Sequence, residues 1–139
     1  MTHAAITGWG KCLPPAVLTN EDLSTILDTN DEWIVSRTGI RERRISHVGL
    51  EELAYVAAAR ALAAAGMSGA AIELVVFGSC SYDDQVPNMA SGIQLRIGAQ
   101  SAAAFDLNTA CTSFLYGLSI TSALRTAPVQ MSALAVESP

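Results

Sequence analysis

Phe105-Asp106-Leu107-Asn108-Thr109-Ala110-Cys111-Thr112-Ser113-Phe114 is the stretch on which the fold turns. The apolar residues from Ala102 to Leu107 predict a short buried strand, and Thr112 to Thr126 predicts a helix. Between them lies a tight turn of small, mostly polar residues. A strand that passes through such a turn into a helix is half of a crossover unit, the building block of a parallel sheet. The same turn places Cys111 at the start of the helix. Unpaired backbone N–H groups and the positive end of the helix dipole point to that position and favour thiolate over thiol. Those N–H groups also suit a developing oxyanion. The functional reading is a covalent nucleophile. From spacing alone, the competing reading is a small Cys filling a helix–sheet interface.

Working outward, Ile72 to Phe77 is an apolar run broken by Glu73, as expected for a strand covered on both faces. Gly78 to Pro87 predicts a polar loop. Asn88 then caps a helix to about Ile97, closed by Gly98. Glu51 to Ala65 is the clearest helix: acidic at its start, Ala-rich inside and closed by Gly66. Ser132 to Val136 predicts a last strand. Near the start, Ala4 to Gly10 predicts a strand entering a Gly/Pro turn. Asn20 is the expected N-cap of a helix over Glu21 to Leu27, with Glu21 and Asp22 at its positive end. Asp28 to Asn30 forms a second cap-like cluster before a short helix, Asp31 to Ser36, which Gly39 stops. Arg41 to Ile45 is extended or loop. Strands alternate with helices, so the expected class is α/β, a mostly parallel sheet with helices on both faces. The sequence contains no internal repeat and no low-complexity linker. It stops just after a strand, where a parallel sheet normally continues into another crossover. A truncated domain over 1–139 is therefore the expectation.

Composition narrows the class. Half of the 139 residues are hydrophobic and 15% are charged, enough apolar material for a core. The net charge of −5 argues against nucleic-acid binding. No apolar run approaches the roughly 20 residues of a membrane span, and Met1-Thr2-His3 lacks the basic start of a signal peptide. A cytoplasmic protein is expected. The three cysteines, Cys12, Cys80 and Cys111, are odd in number and widely spaced, which fits neither a disulfide framework nor a zinc site. No metal is expected, and Cys12 and Cys80 read as structural.

The Asp-x-x-x-Ala-Cys-x-x-Phe pattern at 106–114 resembles the nucleophile segment of β-ketoacyl-acyl-carrier-protein synthase III enzymes. A second long motif, Asp28-Thr29-Asn30-Asp31-Glu32-Trp33-Ile34-Val35-Ser36-Arg37-Thr38-Gly39-Ile40-Arg41-Glu42-Arg43, is similar to that family's N-terminal signature. Leu18-Thr19-Asn20 before it and Phe77 to Gly98 after it are similar as well. The resemblance implies the N-terminal half of a thiolase-like fold. It implies that Cys111 takes an acyl group from acyl-CoA, and that malonyl-acyl-carrier protein then loses CO₂ and attacks the thioester, in fatty-acid initiation. No cofactor beyond these substrates is implied. Thr29, Trp33 and Arg37 fall on positions that hold CoA, and Val86 falls in a loop that closes the acyl pocket of the partner subunit in a homodimer. A smaller residue than the aromatic of acetyl-selective relatives stands at Val86, which implies room for longer or branched acyl chains.

On their own residues, Trp33 and Arg37 also read as a half-buried core aromatic and a surface ion pair with Glu32 or Asp31. Arg41, Arg43 and Arg44 read as a phosphate or carrier-protein contact or as a solvated strand. The family helix usually begins Cys-Ala-Gly-Phe; here it begins Cys111-Thr112-Ser113-Phe114. That departure leaves the acyl donor and acceptor open. The family's catalytic His and Asn lie in its C-terminal repeat, and neither His3 nor His47 matches them, so this chain alone is expected not to complete condensation. Two other readings stand beside it: a thiolase-fold acyltransferase of secondary metabolism, and a non-catalytic half-domain that pairs with a partner.

Overall fold

The computed structural model describes residues 5–124 and 132–135. The chain forms two compact units, one made of the residues through Cys12 and those from Leu50 onward, the other of Leu13–Gly49.

The larger unit is built on a parallel three-stranded sheet. Its strands are β3 (Leu74–Gly78), β4 (Ala103–Leu107) and β5 (Ser132–Ala135), in the order β4-β3-β5. β3 is central, with Leu74 opposite Ala103 and Gly78 opposite Leu107. The expected last strand is present, and its final residue, Val136, lies outside the described residues. Helices α3 (Leu50–Ala65), α4 (Met89–Arg96) and α5 (Ser113–Ala123) flank the sheet. Successive strand residues point to opposite faces, and β3 uses both. Val75 and Phe77 join Ala54, Ala58, Leu62, Met89, Ala90 and Ile93 in the main core under α3 and α4. Val76 points the other way, towards Gly117 of α5. The apolar run at 74–77 has this cause: neither face of the strand is left to water, and Glu73, just ahead of the strand, is exposed.

Local sequence explains the helices. In α3 the buried residues Ala54, Ala57, Ala58 and Leu62 repeat at helical spacing, and Gly66 follows at φ +65°. In α4, Asn88 Oδ1 accepts from the Ser91 N–H at 3.0 Å, and Gly98 ends the turn at φ +77°. Gln94 Nε2 donates to the carbonyls of Ala99 and Ala102, which ties the helix end to the start of β4.

The expected strand over Ala4–Gly10 is a correction: residues 5–10 are not in a strand, and Ala4 lies outside the described residues. This segment lies on a helix instead of another strand. A Cβ on Gly8 would meet Ala61 O at 2.5 Å, and one on Gly10 would strike the backbone of Ala57 and Ala61. Backbone against helix backbone leaves no ladder for the segment's own N–H and C=O groups.

In the smaller unit, β1 (Ala16–Thr19) pairs antiparallel with β2 (Glu42–Ile45), Thr19 opposite Glu42. Helices α1 (Asn20–Ser24) and α2 (Asp31–Thr38) lie between them in sequence. Thr19, not Asn20, is the N-cap of α1. Asp22 N–H donates to Thr19 Oγ1, and Thr19 donates from both N–H and Oγ1–H to Asp22 Oδ2, a reciprocal capping box. That frees Asn20 to turn inward. At 1% exposure, its Nδ2 donates to Asp31 Oδ1 and to Ile40 O, both at 2.8 Å, and its Oδ1 accepts from Arg43 at 2.5 Å. α1 is also shorter than the expected Glu21–Leu27, because the chain leaves the helix at Thr25. α2 is capped by Asn30 and ended by Gly39 at φ +73°, as expected. Among the described residues no helix is long and apolar enough to cross a membrane.

The Thr19 hydroxyl and then its N–H hold the Asp22 carboxyl below its ordinary value. A depressed carboxylate adds stability above its unfolded titration range and loses it as pH falls through the folded value. The Asp22 carboxyl is expected to titrate below the ordinary aspartate range by NMR, with the Thr19 amide shifting in step. Thr19→Val should return it towards the ordinary range; an unchanged midpoint would rule out the capping box as the cause.

Candidate functional site

Parallel strands deliver their following loops to one edge of the sheet. With Gly78 opposite Leu107, the loop after β3 (residues 79–88) and the turn after β4 (residues 108–112) leave from neighbouring positions at that edge. Clefts at the carboxyl edge of parallel strands are where α/β folds bind ligands.

Cys111 lies in the turn after β4. It sits in one 3₁₀ turn, Ala110–Thr112, ahead of α5, so the helix begins at Ser113 instead of the expected Thr112. The far end expected at Thr126 lies outside the described residues. Ala110, immediately before Cys111, has φ +46°, and it is the non-Gly residue with positive φ among those described. An L residue in this region costs roughly 1–2 kcal/mol, and such strain persists only where the surroundings enforce it. Thr112, the N-cap of α5, makes no side-chain cap bond. The first N–H of α5, that of Ser113, goes to Ala110 O, and no side chain of Thr112 closes off those that follow.

Cys111 is exposed. The alternative of a Cys filling the helix–sheet interface does not hold; the small buried side chain at that interface is Ser113, at 5% exposure. Gly78 at the end of β3 makes the space, since a Cβ there would lie 2.6 Å from Ser113 Cβ. The turn is held by hydroxyls. Thr109 N–H and Thr109 Oγ1–H both reach Ser113 Oγ at 3.2 Å. Ser113 Oγ lies 2.9 Å from Ala110 O, and Thr112 Oγ1 donates to Thr109 O at 2.7 Å.

One residue of the motif had no role assigned from the sequence. Asp106 on β4 accepts from the N–H groups of Met89 and Ala90, at 2.9 and 2.8 Å. A charged acceptor thus sits at the positive end of α4 and pins the end of the 79–88 loop to the strand that leads into the Cys111 turn. The partners are 16 and 17 residues apart in sequence, so no local pattern marks them. In the same loop Tyr82 packs against the core. Its hydroxyl is pushed up by burial first, then by the carboxylates of Asp84, Glu51 and Asp106. Val86 is 90% exposed. Cys80, also in this loop, is exposed, and Cys12 is half-buried.

Thr29, Trp33 and Arg37 belong to the smaller unit. Asn30 Oδ1 accepts from the Trp33 N–H at 2.8 Å and starts α2 there. One turn on, the Arg37 guanidinium lies over the Trp33 ring, 4.8 Å from its centroid. Arg37 stacks on Trp33 and does not pair with Glu32 or Asp31. Trp33 itself is 53% exposed, which is not the setting of a core aromatic. Thr29 Oγ1 is shielded from solvent and has no hydrogen-bond partner among the described residues. In the basic cluster, Arg43 is engaged by Asn20 and Arg44 by Glu42 at 3.0 Å. Arg41 and His47 are exposed; His3 lies outside the described residues.

No family model matches the chain. It is nevertheless 58% identical over 134 residues to β-ketoacyl-[acyl-carrier-protein] synthase III 2 of Vibrio cholerae, covering 96% of this chain and 37% of that protein. Among solved structures, 3-oxoacyl-[acyl-carrier-protein] synthase III from Aquifex aeolicus superposes with a TM-score of 0.83 at 38% identity, over 87% of this chain and 40% of that one. The priming β-ketosynthase from the R1128 polyketide biosynthetic pathway gives a TM-score of 0.88 at 32% identity, over 95% and 41%. The chain spans well under half the length of the curated relatives it matches. The resemblance to the β-ketoacyl-acyl-carrier-protein synthase III family holds over nearly all of this chain, and so does the α/β, thiolase-like fold it implies.

Asp106→Ala would leave two partly buried N–H groups unpaired at the start of α4. A loss of about 2–3 kcal/mol is expected from the cost of such groups, read as a lower urea midpoint. Faster amide exchange at Met89 and Ala90 should accompany it; unchanged exchange there would show that Asp106 does not fasten the loop.

Proposed function

We propose that this chain carries the acyl-accepting part of a β-ketoacyl-acyl-carrier-protein synthase III-type condensing enzyme. The observation that supports this most is Cys111 itself: exposed, behind a strained Ala110, at the carboxyl edge of a parallel sheet and one turn ahead of an uncapped helix N-terminus. The Cys111 thiolate attacks the carbonyl of acyl-CoA, the negative charge passes to the carbonyl oxygen, and CoA leaves as its thiolate. Backbone N–H groups of the turn stabilise that oxyanion. In the second step malonyl-acyl-carrier protein loses CO₂; its new carbanion attacks the acyl-thioester and Cys111 leaves, giving a β-ketoacyl-acyl-carrier protein. The His and Asn that favour decarboxylation in the family are not supplied by His3 or His47, so the chain by itself accepts acyl groups without condensing them.

Thr29, Trp33 and Arg37 are proposed to hold CoA. An exposed indole and a guanidinium on one helix turn combine a π face with positive charge, the pair of features that a purine and its phosphates call for. Thr29 enters this reading by its position beside them and by the family resemblance. Val86, exposed on its loop, is proposed to face the acyl pocket of a partner in a homodimer, with room for longer or branched chains. Fatty-acid initiation in the cytoplasm is the setting this reading implies. The likeness to a polyketide priming synthase favours a second reading, starter-unit loading for secondary metabolism by the same Cys111 chemistry.

Incubation with a panel of acyl-CoAs should add one acyl mass at Cys111, read by peptide mass spectrometry, and none in Cys111→Ala. Labelling that survives this substitution would overturn the nucleophile assignment. A strict preference for acetyl-CoA would overturn the pocket reading for Val86. Stacking on an aromatic is worth roughly 1–3 kcal/mol per base, so Trp33→Ala should weaken CoA binding about tenfold or more by calorimetry. Equal affinity would remove Trp33 from the CoA site.

A further inference from the structure

We propose that Ser113 is a positioning residue whose hydroxyl clasps the turn that presents Cys111; the inference rests on reading Cys111 as the nucleophile. A Ser hydroxyl has one proton to give and two lone pairs to fill. In this turn all three are used. Thr109 N–H and Thr109 Oγ1–H donate to Ser113 Oγ, each at 3.2 Å. The Ser113 proton has two carbonyls in reach, Ala110 O at 2.9 Å and Leu107 O at 3.3 Å, and the nearer takes it.

These partners are placed where they matter. Thr109 N–H lies before Ala110 and Ala110 C=O lies after it, so the two bonds bracket the residue held at φ +46°. A strained conformation relaxes unless its surroundings over-determine it. Thr112 reinforces the clasp from the other side: its N–H and its hydroxyl both donate to Thr109 O, at 3.1 and 2.7 Å. Cys111 is the residue between these anchors. With Ala110 relaxed, Cys111 would swing away from the α5 N-terminus. Ser113 contacts no reacting atom in this arrangement; it acts through the backbone on either side of Cys111.

A packing role is the rival account, because Ser113 Cβ fills the space that Gly78 leaves. Ser113→Ala separates the two: it keeps the Cβ and removes the oxygen. The readout is the alkylation rate of Cys111 by iodoacetamide across pH, resolved by peptide mass spectrometry, with exposed Cys80 of the same chain as internal reference. In Ser113→Ala the Cys111 rate should fall about two- to fivefold, the scale of losing the influence of a helix N-terminus on a thiolate, and its pH profile should shift. The Cys80 rate and the far-ultraviolet circular dichroism should not change. Thr109→Val, which removes one bond of the clasp, should give a smaller loss confined to Cys111, and it carries the test if Ser113→Ala does not fold. Cys111 rates and pH profiles matching the parent in the folded variants would overturn the clasp. A parent chain whose Cys111 reacts no faster than Cys80 at any pH would instead count against the nucleophile reading, while the variant-to-parent ratio still decides the clasp.

Discussion

Strand β3 runs parallel to both of its neighbours, so the connections β3–α4–β4 and β4–α5–β5 must each leave at the carboxyl edge and return across a face of the sheet. That requirement governs the larger unit. It covers both faces of β3 with helices, which is why Val75, Val76 and Phe77 are all buried. It also delivers the 79–88 loop and the Cys111 turn to the same edge. The fold thereby brings two separate stretches of the sequence into one neighbourhood, joined by the β3–β4 ladder and by Asp106.

The edge is then stiffened by polar side chains that belong to neither chemistry nor core. Asp106 fastens the start of α4, and with it the end of the 79–88 loop, to β4. Ser113, Thr109 and Thr112 fasten the turn itself. Gly78 permits this, because any larger residue would collide with Ser113. The Thr112 and Ser113 hydroxyls beside Cys111 both reach backbone carbonyls of the turn. In the smaller unit Asn20 plays a comparable part, holding Asp31, Ile40 and Arg43 together beneath the helix that bears Trp33 and Arg37.

The sequence by itself determined those features that depend on near neighbours. The helices at 50–65 and 89–96 and their Gly stops follow from caps and periodicity, and the apolar run of β3 follows from burial on both faces. The Trp33–Arg37 stack follows from a spacing of one helical turn. Cys111 stood out because a strand, a small-residue turn and a helix announce themselves locally. Only the tertiary structure decided the rest. Asn20 is an inward anchor and not a cap, because its partners are 11 to 23 residues away. The segment 5–10 is no strand, because its glycines meet the backbone of α3 and not another strand. The role of Asp106 was likewise invisible, since its partners lie 16 and 17 residues away and a hydrogen bond has no periodicity to read; the left-handed Ala110 carries no mark in its residue type, because positive φ is ordinarily signalled by Gly.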